Sequence, residues 1–399
     1  MKRISIAERA DWRNQAEAVG FDFHTIDGEP YWDESAYYQF SLAQIENDIE
    51  DPTAELHQMA VSLIDDIINS EQLLSQLDVP ERYWNHVANS WRNSDPHLYG
   101  RMDLAYNGQG PAKLLELNYD TPTSLFETGY FQWIWLEQQI ASGLLPATAD
   151  QFNSLQDQLE NAFKTLPFPT PLHFTSVLES AEDKGTVNYL MDIASQSGMD
   201  ARYIPLENIG EYNGQFIDEE NFEILGLFKL YPWEFMLRED FGQVVITSQT
   251  QMIEPPWKML LSNKGILPLL WQRYTNHPNL LPAFFEENSE NAANRPALEA
   301  GWVRKPLFSR EGANVEIITD AGQALKEDGP YNDIATIRQA FCELPRFSRM
   351  NAQTKKTEDT YAVIGSWVVG DEPAGIGIRE DNTLITKDSS RFVPHCIID

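Results

Sequence analysis

The chain has 399 residues, of which 42% are hydrophobic and 12% aromatic, and a formal net charge of -32. That length allows a large buried core in one composite domain or two to three smaller ones. Its acidity excludes the basic footprint that nucleic acid or an anionic membrane surface requires, and its two cysteines, Cys342 and Cys396, exclude a disulfide framework or a zinc motif.

The N-terminal part predicts helices. "AELHQMAVSLIDDIINS" has apolar residues three and four apart, as an amphipathic helix requires, and residues 5–95 are expected to be mostly helical. The start of the chain, "MKRISIAERADWRNQ", lacks the apolar core of a signal peptide, and no apolar run approaches the roughly 18 residues of a membrane span. A cytoplasmic protein is therefore expected.

A β-hairpin is predicted in "YGRMDLAYNGQGPAKLLELNYDTPTS", residues 99–124. Alternation places Met102, Leu104 and Tyr106 on one face of its first strand, and Leu115, Leu117 and Tyr119 on one face of its second. A four-residue turn sets Asp103 opposite Glu116 and Arg101 opposite Asn118.

Two carboxylates opposite each other in a sheet repel. Removing one of them is therefore expected to stabilise the metal-free protein. With the amide of Asn118, Asp103 and Glu116 supply the oxygen ligands that suit Mg²⁺, and Arg101 beside them suits a phosphate or carboxylate. The alternative is a solvated polar face on an amphipathic hairpin.

The middle of the chain predicts helices and a parallel sheet. "ETGYFQWIWLEQQIASGLL" and "ADQFNSLQDQLENAFKTL" are predicted helices. The next segment, "PLHFTSVLESAEDKGTVNYLMDIASQSGMDARYIPL", has the order strand, helix, strand of a βαβ unit. Its loop "ESAEDKG" lies at the carboxyl end of a strand, where open α/β sheets bind ligands.

From residue 255 the pattern becomes α+β with an antiparallel sheet. A helix is predicted in "PPWKMLLSNKGILPLLWQRY". In "VRKPLFSREGANVEI", Lys305 lies on an apolar strand and needs an anion, and Gly312 allows backbone N–H groups to approach a phosphate. A surface hairpin with a lysine that extends to solvent is the alternative. Lys264 and Arg379 are uninformative by themselves. The polar string from Ser348 to Thr360 is expected to be a mobile surface insertion.

Several uncommon strings occur together and in order, and through them the chain resembles the glutathionylspermidine synthase family, in particular its standalone acid–amine ligase branch. The strings are "RMD…LLELNYDTPTSLFETG", "LYPWEF", "PPWKMLLSNKGILPLLW", "HPNLLPA", "VRKPLFSREGANV", "IGSWVVGDEPAGIGIRE" and "SSRFVPH". The resemblance implies a permuted ATP-grasp fold with a preATP-grasp-like α/β region and N-terminal helices. We therefore expect an N-terminal helical segment (1–98), a hairpin and preATP-grasp-like region (99–255) and a nucleotide-binding region (256–399).

The resemblance also implies the site. The magnesium ligands are Asp103, Glu116 and Asn118. The catalytic arginines are Arg101 and Arg379, of which Arg101 also contacts substrate. The expected ATP-binding residues are Lys264, Lys305, Glu311, Gly312, Gln339, Ala340, Phe341, Cys342 and Leu384. Thr121 is expected to contact the acid, and Glu182 and Asp183 lie near the amine pocket.

Two departures from the family pattern bear on function. Neither cysteine lies in an N-terminal region suited to an amidase, so no amidase activity is expected. In "DSSRF", Arg391 replaces an acidic residue that faces the polyamine in spermidine-using members. If Arg391 faces the amine, its charge disfavours spermidine and favours a zwitterionic amine.

The expected function is therefore an ATP- and Mg²⁺-dependent ligase that joins a small acid to a small amine through an acyl phosphate. The first alternative is a binding protein that keeps the ATP-grasp fold without the chemistry. The second is a carbohydrate-active enzyme, suggested only by the many acids and the 11 tryptophans. The identities of the acid and amine and the oligomeric state do not follow from the sequence.

Overall fold

The computed structural model describes most of the chain, namely residues 1–26, 28–286, 298, 301–350, 355–387 and 390–399. Within these ranges helices alternate with strands that form several separate sheets, which confirms the predicted mixed α/β class. No helix in the described ranges is both long enough and apolar enough to cross a bilayer.

The first 98 residues are less helical than predicted. The helices are α1 (Trp12–Ala18), α2 (Leu42–Ile45), α3 (Asp51–Val61), α4 (Ile64–Ile68), α5 (Glu71–Gln76) and α6 (Trp84–Arg92). The strands are β1 (Lys2–Ser5), β2 (Thr25–Ile26), β3 (Glu29–Pro30) and β4 (Ala36–Phe40). The helical prediction was wrong for residues 25–40. Strand β4 buries all but one of its side chains, and pairs with β1 and with the late strand His395–Ile397, so tertiary pairing decides its conformation.

One antiparallel sheet carries the hairpin. Its strands are β5 (Tyr99–Ala105), β6 (Lys113–Asn118), β18 (Arg346–Met350), β19 (Thr357–Val369), β20 (Glu372–Asp381) and β21 (Arg391–Val393). They lie in the order β21-β20-β19-β5-β6, and β18 also pairs with β19. The β19–β5 pair joins the last third of the chain to the hairpin, so strand pairing crosses the expected segment boundary at residue 255.

A parallel sheet lies between these segments in sequence. Its strands, in the order β12-β11-β7-β8, are β7 (Leu172–Ser176), β8 (Ala201–Tyr203), β11 (Gly226–Leu230) and β12 (Gln251–Ile253). The predicted βαβ unit is confirmed, because β7 and β8 pair in parallel around α9 (Ala181–Gln196). The other elements here are α7 (Gln132–Ala141), α8 (Leu155–Thr165), β9 (Gly210–Tyr212), β10 (Gln215–Ile217), α10 (Trp233–Met236) and α11 (Gly242–Thr247).

The second antiparallel sheet belongs to the last third. Its strands, in the order β13-β17-β14-β15-β16, are β13 (Ala283–Phe285), β14 (Trp302–Pro306), β15 (Glu316–Ile318), β16 (Ala324–Lys326) and β17 (Thr336–Ala340). The remaining strand, β22 (His395–Ile397), pairs with β4. The helix predicted before this sheet is divided into α12 (Met259–Ser262) and α13 (Ile266–Arg273). Asn263 accounts for the break, because its side chain accepts from the Gly265 N–H at 2.8 Å and donates to the Leu77 carbonyl at 2.7 Å.

A buried ion pair fixes the end of the hairpin against the parallel sheet. Lys229 on β11 lies 2.6 Å from Asp120, and both side chains are almost fully buried. The second oxygen of Asp120 accepts from the backbone N–H of Trp233 at 2.8 Å. Because both oxygens of Asp120 are engaged, the segment that follows it starts from a defined position, and that segment contains Thr121.

The prediction that Ser348–Thr360 is a mobile surface insertion is wrong at both ends of that segment. Residues up to Met350 belong to β18, and those from Thr357 belong to β19, with Ser348 opposite Asp359. Arg349 and Thr360 are buried, so this hairpin contributes to the sheet despite its polar composition. The middle of the string, residues 351–354, lies outside the described residues.

Candidate active site

The hairpin has the predicted register at the residues that matter for the site. Asp103 lies opposite Glu116, and Arg101 lies opposite Asn118. Toward the turn the register shifts by one residue, because Leu115 is an extra residue in β6. The prediction that Leu115 belongs to the buried apolar face is therefore wrong. Leu115 is only partly buried, and its carbonyl accepts from Lys305 Nζ at 2.8 Å.

The three predicted metal ligands converge. The amide nitrogen of Asn118 lies 3.4 Å from an oxygen of Asp103 and 3.4 Å from an oxygen of Glu116. Arg101 donates to both oxygens of Asp103, at 2.8 and 3.2 Å, and Lys264 Nζ lies 3.3 Å from Glu116. Asp103 is thus paired with a cation from its own strand, and Glu116 with a cation from the segment between α12 and α13.

The two carboxylates differ in acidity. Burial raises the pKa of Glu116, but Lys264 and Lys305 outweigh it and lower that pKa to about 2. Burial and the neighbouring Glu116 raise the pKa of Asp103, against the opposing effect of Arg101. Burial lowers the pKa of Lys305 to about 8, despite the attraction of Glu116. The site therefore favours an ionised Glu116 surrounded by cations.

The donor chemistry of this cluster fits a hard divalent cation. Among the described residues no group of three or more His, Cys, Asp and Glu side chains gathers in a metal-binding arrangement. At this cluster the group beside the two carboxylates is the Asn118 amide. A half turn of the Asn118 amide would present its oxygen beside the two carboxylates. Two carboxylates with one amide oxygen leave positions for water and phosphate, as Mg²⁺ requires.

A mainly apolar cavity of about 110 Å³ adjoins this cluster, because Asp103 and Glu116 are part of its lining. The predicted ATP-binding residues that line it are Lys305, Gly312, Gln339, Ala340, Phe341, Cys342 and Leu384. Lys305 Nζ also donates to Gln339 Oε1 at 3.0 Å, and the Gln339 amide in turn donates to the Leu114 carbonyl at 3.1 Å. Lys264, which lies 3.3 Å from Glu116, is held by its own donation to the Ser309 carbonyl at 2.6 Å. Both lysines thus lie near the predicted metal ligand Glu116.

The loop between β14 and β15 requires glycine at position 312. Gly312 has φ +71°, and a Cβ there would lie 2.3 Å from Ile385 Cγ2 and 2.9 Å from the Thr386 carbonyl. We predict that Gly312→Ala lowers the free energy of unfolding by about 1–3 kcal/mol more than Gly322→Ala does. Gly322 is the matched control, because it has φ +77° and nothing within 4 Å of its Cβ position. Chemical denaturation measures both, and equal losses would show that the contact with Ile385 is unimportant.

A second, more polar cavity of about 340 Å³ adjoins the first and shares Asp103, Glu116 and Gly312 with it. The remaining predicted residues that line it are Arg101, Asn118, Thr121, Glu182, Asp183, Glu311 and Arg379. The βαβ loop and the first turn of α9 bring Glu182 and Asp183 to this cavity, as the position at the carboxyl end of β7 suggested. Most of the predicted nucleotide and substrate residues therefore line these two adjoining cavities, which together are called the cleft below.

Sequence reasoning missed Arg310, which lies in the same cleft. Its guanidinium donates to Thr121 Oγ1 at 2.7 Å and to Glu234 at 2.8 Å. Its neighbours in the string "VRKPLFSREGANV" were recognised, and an arginine two residues before a turn glycine was the available signal. Glu234, in the string "LYPWEF", is recognised only from its contact with Arg310 in the structure.

Arg391 does not face the cleft, and the prediction that it lines the amine pocket is wrong. In the β20–β21 pair Arg391 lies opposite Glu380, whereas Phe392 lies opposite Arg379. Because neighbouring residues of a strand point to opposite faces, Arg391 is directed away from the face that Arg379 presents to the cleft. Arg391 is buried instead, and it donates to Thr360 and Asn382 at 3.0 Å each.

Comparisons of the whole chain with known proteins identify its family. A family profile described as "Glutathionylspermidine synthase preATP-grasp" matches residues 3–398. The chain belongs to the glutathionylspermidine synthase family. A Haemophilus influenzae protein, provisionally assigned as an acid–amine ligase, is 39% identical over all of both chains.

Members of the glutathionylspermidine synthase family that are longer than this chain also match. Trypanothione synthetase of Crithidia fasciculata is 27% identical over 85% of this chain and 53% of its own length. The bifunctional glutathionylspermidine synthetase/amidase of Escherichia coli is 24% identical over 97% of this chain and 63% of its own length. These relatives are ligases, which supports a ligase role for this chain.

A solved structure supports the fold. A glutathione synthetase-like effector from Globodera pallida, in its apo form, superposes with a TM-score of 0.52 at 12% identity, over 91% of this chain and 89% of its own. At this identity the likeness concerns the fold alone. It confirms the ATP-grasp type that the resemblance to the glutathionylspermidine synthase family implied.

Proposed function

We propose that the protein is an ATP- and Mg²⁺-dependent ligase that joins a carboxylic acid to an amine through an acyl phosphate, with release of ADP and phosphate. The observation that carries this proposal is the position of the Asp103–Glu116 pair. The pair lies where an apolar cavity meets a polar one, and Lys264, Lys305 and Arg101 surround it. Such a junction suits the phosphates of a nucleotide whose base and transferred group lie in different surroundings.

The proposed roles follow the two cavities. The apolar end, from Gln339 to Cys342, suits the adenine ring, because apolar side chains such as Phe341 and Leu384 line the cavity there. The cationic groups that would neutralise phosphate charge are Lys264, Lys305, Arg101, Arg310 and Arg379. Bound at Asp103, Glu116 and Asn118, Mg²⁺ would supply positive charge to the phosphate oxygens.

The polar cavity suits an acid near Thr121 and an amine near Glu182 and Asp183. Because Arg391 lies outside the cleft, its positive charge does not disfavour spermidine there. Two carboxylates at this end favour an amine that carries positive charge. The names of the relatives agree with this choice, and spermidine becomes the first amine to test.

The alternative of a binding protein without chemistry requires a direct test. Purified protein is assayed for phosphate release with ATP, Mg²⁺ and a matrix of acids and amines that includes glutathione and spermidine. We expect release that needs the acid, and thermal stabilisation by ATP that needs Mg²⁺. Metal-dependent stabilisation without phosphate release for any pair would favour the binding protein, and absence of both would contradict the nucleotide site.

Lys305 provides a second test of the nucleotide site. We predict that Lys305→Met weakens ADP binding by about 1.5–3 kcal/mol, or about 10- to 150-fold, because one charge-assisted contact to phosphate is lost. Isothermal titration calorimetry measures the affinity. Lys326→Met is the matched control, since Lys326 is an exposed residue of the same sheet. Unchanged affinity in Lys305→Met, or an equal loss in both variants, would contradict the assignment.

A further inference from the structure

Behind the amine end of the cleft, one tyrosine hydroxyl connects two carboxylates. Tyr31 donates to Glu127 Oε1 at 2.5 Å, and the same hydroxyl lies 3.3 Å from Glu182 Oε1. Glu182 lines the polar cavity, whereas Tyr31 and Glu127 are 1% and 0% exposed. The three groups therefore form a line from the cleft into the protein interior.

Glu127 is an unusual residue to bury. Its second oxygen, Oε2, has no hydrogen-bond partner and no contact with solvent. Burial raises the pKa of Glu127 to about 7, and the charge of Glu182 adds to this effect. Burial also raises the pKa of Tyr31 well above its ordinary value, so its hydroxyl keeps a proton at neutral pH. A buried carboxyl group with one oxygen left unpaired is costly to the fold, which indicates a functional reason for its presence.

Charged and polar residues of the cleft also surround Tyr31 and Glu182. Arg379 lies over the Tyr31 ring, 5.1 Å from its centroid, and donates to Ser124, whose hydroxyl lies 3.2 Å from that of Tyr31. Arg379 lowers the pKa of Glu127 in opposition to burial. Arg101 faces Glu182 from the hairpin, and Asp183 lies beside Glu182 in the cavity lining.

We propose that Glu182, Tyr31 and Glu127 form a proton relay that deprotonates the amine before it attacks. The proposal rests on the proposed ligase function. The acceptor ammonium gives one proton to the Glu182 carboxylate, Glu182 passes a proton to the Tyr31 oxygen, and Tyr31 passes its own to Glu127. The amine lone pair then forms the C–N bond as the C–O bond to phosphate breaks, and the second nitrogen proton leaves with the departing phosphate.

This arrangement gives Glu127 and Tyr31 a positioning and proton-accepting role without contact with substrate. It predicts that turnover with a cationic amine rises with pH as Glu127 ionises near neutrality. It also predicts that a nucleophile that is already neutral does not need the relay. Hydroxylamine is such a nucleophile at pH 7, and it converts an acyl phosphate to a hydroxamate.

The test compares Tyr31→Phe and Glu127→Gln with wild type, using glutathione as the acid, Mg·ATP, and either spermidine or hydroxylamine as the acceptor. Tyr189→Phe is the matched control, because Tyr189 is also buried but its hydroxyl lies near Gln156 rather than between two carboxylates. We expect both relay variants to lose about 100-fold or more in spermidine turnover at pH 7. We expect hydroxamate formation to stay within about twofold of wild type, and the pH dependence near neutrality to disappear in Glu127→Gln.

Equal losses with both acceptors, or none with spermidine, would overturn the relay while the ligase function stands. No hydroxamate from the wild type, with glutathione or with any other acid of the matrix above, would overturn the ligase function and the relay together. A second measurement needs no substrate. Because the pKa of Glu127 in the fold is above its ordinary value, the wild type should lose stability relative to Glu127→Gln as pH rises from about 5 to 8. A stability difference that does not change over this range would also overturn the proposal.

Discussion

Glu116→Gln is expected to lower ATP-dependent turnover by about 1,000-fold or more. Glu116 is the carboxylate that Lys264 approaches at 3.3 Å, and Asn118 donates to it at 3.4 Å. In the proposed site it holds Mg²⁺ against the phosphates, and a neutral amide of the same shape cannot balance that charge. The loss is comparable to that of a group whose electrostatic contribution is made mainly in the transition state. Steady-state phosphate release over a range of Mg²⁺ concentrations measures it.

Excess Mg²⁺ should restore little of this activity, because the charge that orders the two lysines is also missing. Glu160→Gln is the control, since Glu160 belongs to α8 and pairs with Lys164 outside the cleft. Turnover within about tenfold of wild type in Glu116→Gln would contradict the metal assignment. So would a similar loss in Glu160→Gln.

The expected stability of the metal-free Glu116 variant depends on residues outside the hairpin. A pair of opposed carboxylates suggests that removing one stabilises the protein. In the structure Lys264 and Lys305 approach Glu116 from elements more than 100 residues away in sequence, and they lower its pKa to about 2. We therefore expect Glu116→Gln to destabilise the metal-free protein at neutral pH, by leaving buried cations without their anion.

Strand alternation predicted the face and the register of the four central hairpin residues. Side chains alternate between the two faces of a strand, so few strand pairings are possible once the turn is located. It did not predict the extra residue Leu115, since a bulge changes register without changing composition. The βαβ unit was equally predictable, because its strands and helix are contiguous. Pairing between distant segments could not be predicted in this way. The strand β4 and the polar hairpin of β18 and β19 were misassigned for that reason.

In the candidate site, too, some features follow from sequence and others depend on tertiary contacts. The resemblance to the family brought together residues that the fold does place around one cleft. It failed at Arg391, because the side to which that residue points depends on how β21 pairs with β20. Tyr31 and Glu127 are 96 positions apart, and neither lies in a string whose pattern indicates a buried carboxylate. Whether a single acidic side chain is buried depends on tertiary packing, and the pattern of the local sequence does not reveal it.

Arg310→Met is expected to reduce turnover by about 1,000-fold while changing ADP affinity by less than about fivefold. Arg310 lies two residues before Gly312, and its guanidinium is fixed by Thr121 Oγ1 at 2.7 Å and by Glu234 at 2.8 Å. It lines the polar cavity rather than the apolar one, so it would face the transferred phosphoryl group and the acid instead of the nucleotide base. An arginine in this position contributes mainly when charge spreads over the transferred group.

Two further variants separate this role from a general loss of charge. Arg310→Lys should recover only part of the activity, because an ammonium cannot contact Thr121 and Glu234 in one plane and still present a donor to phosphate. Arg304→Met removes an arginine six residues earlier that is half exposed and pairs with Glu286, and its turnover should stay near wild type. A loss confined to ADP affinity in Arg310→Met would assign Arg310 to nucleotide binding alone. Equal losses in Arg310→Met and Arg304→Met would mean that the charge of the region matters and the position of Arg310 does not.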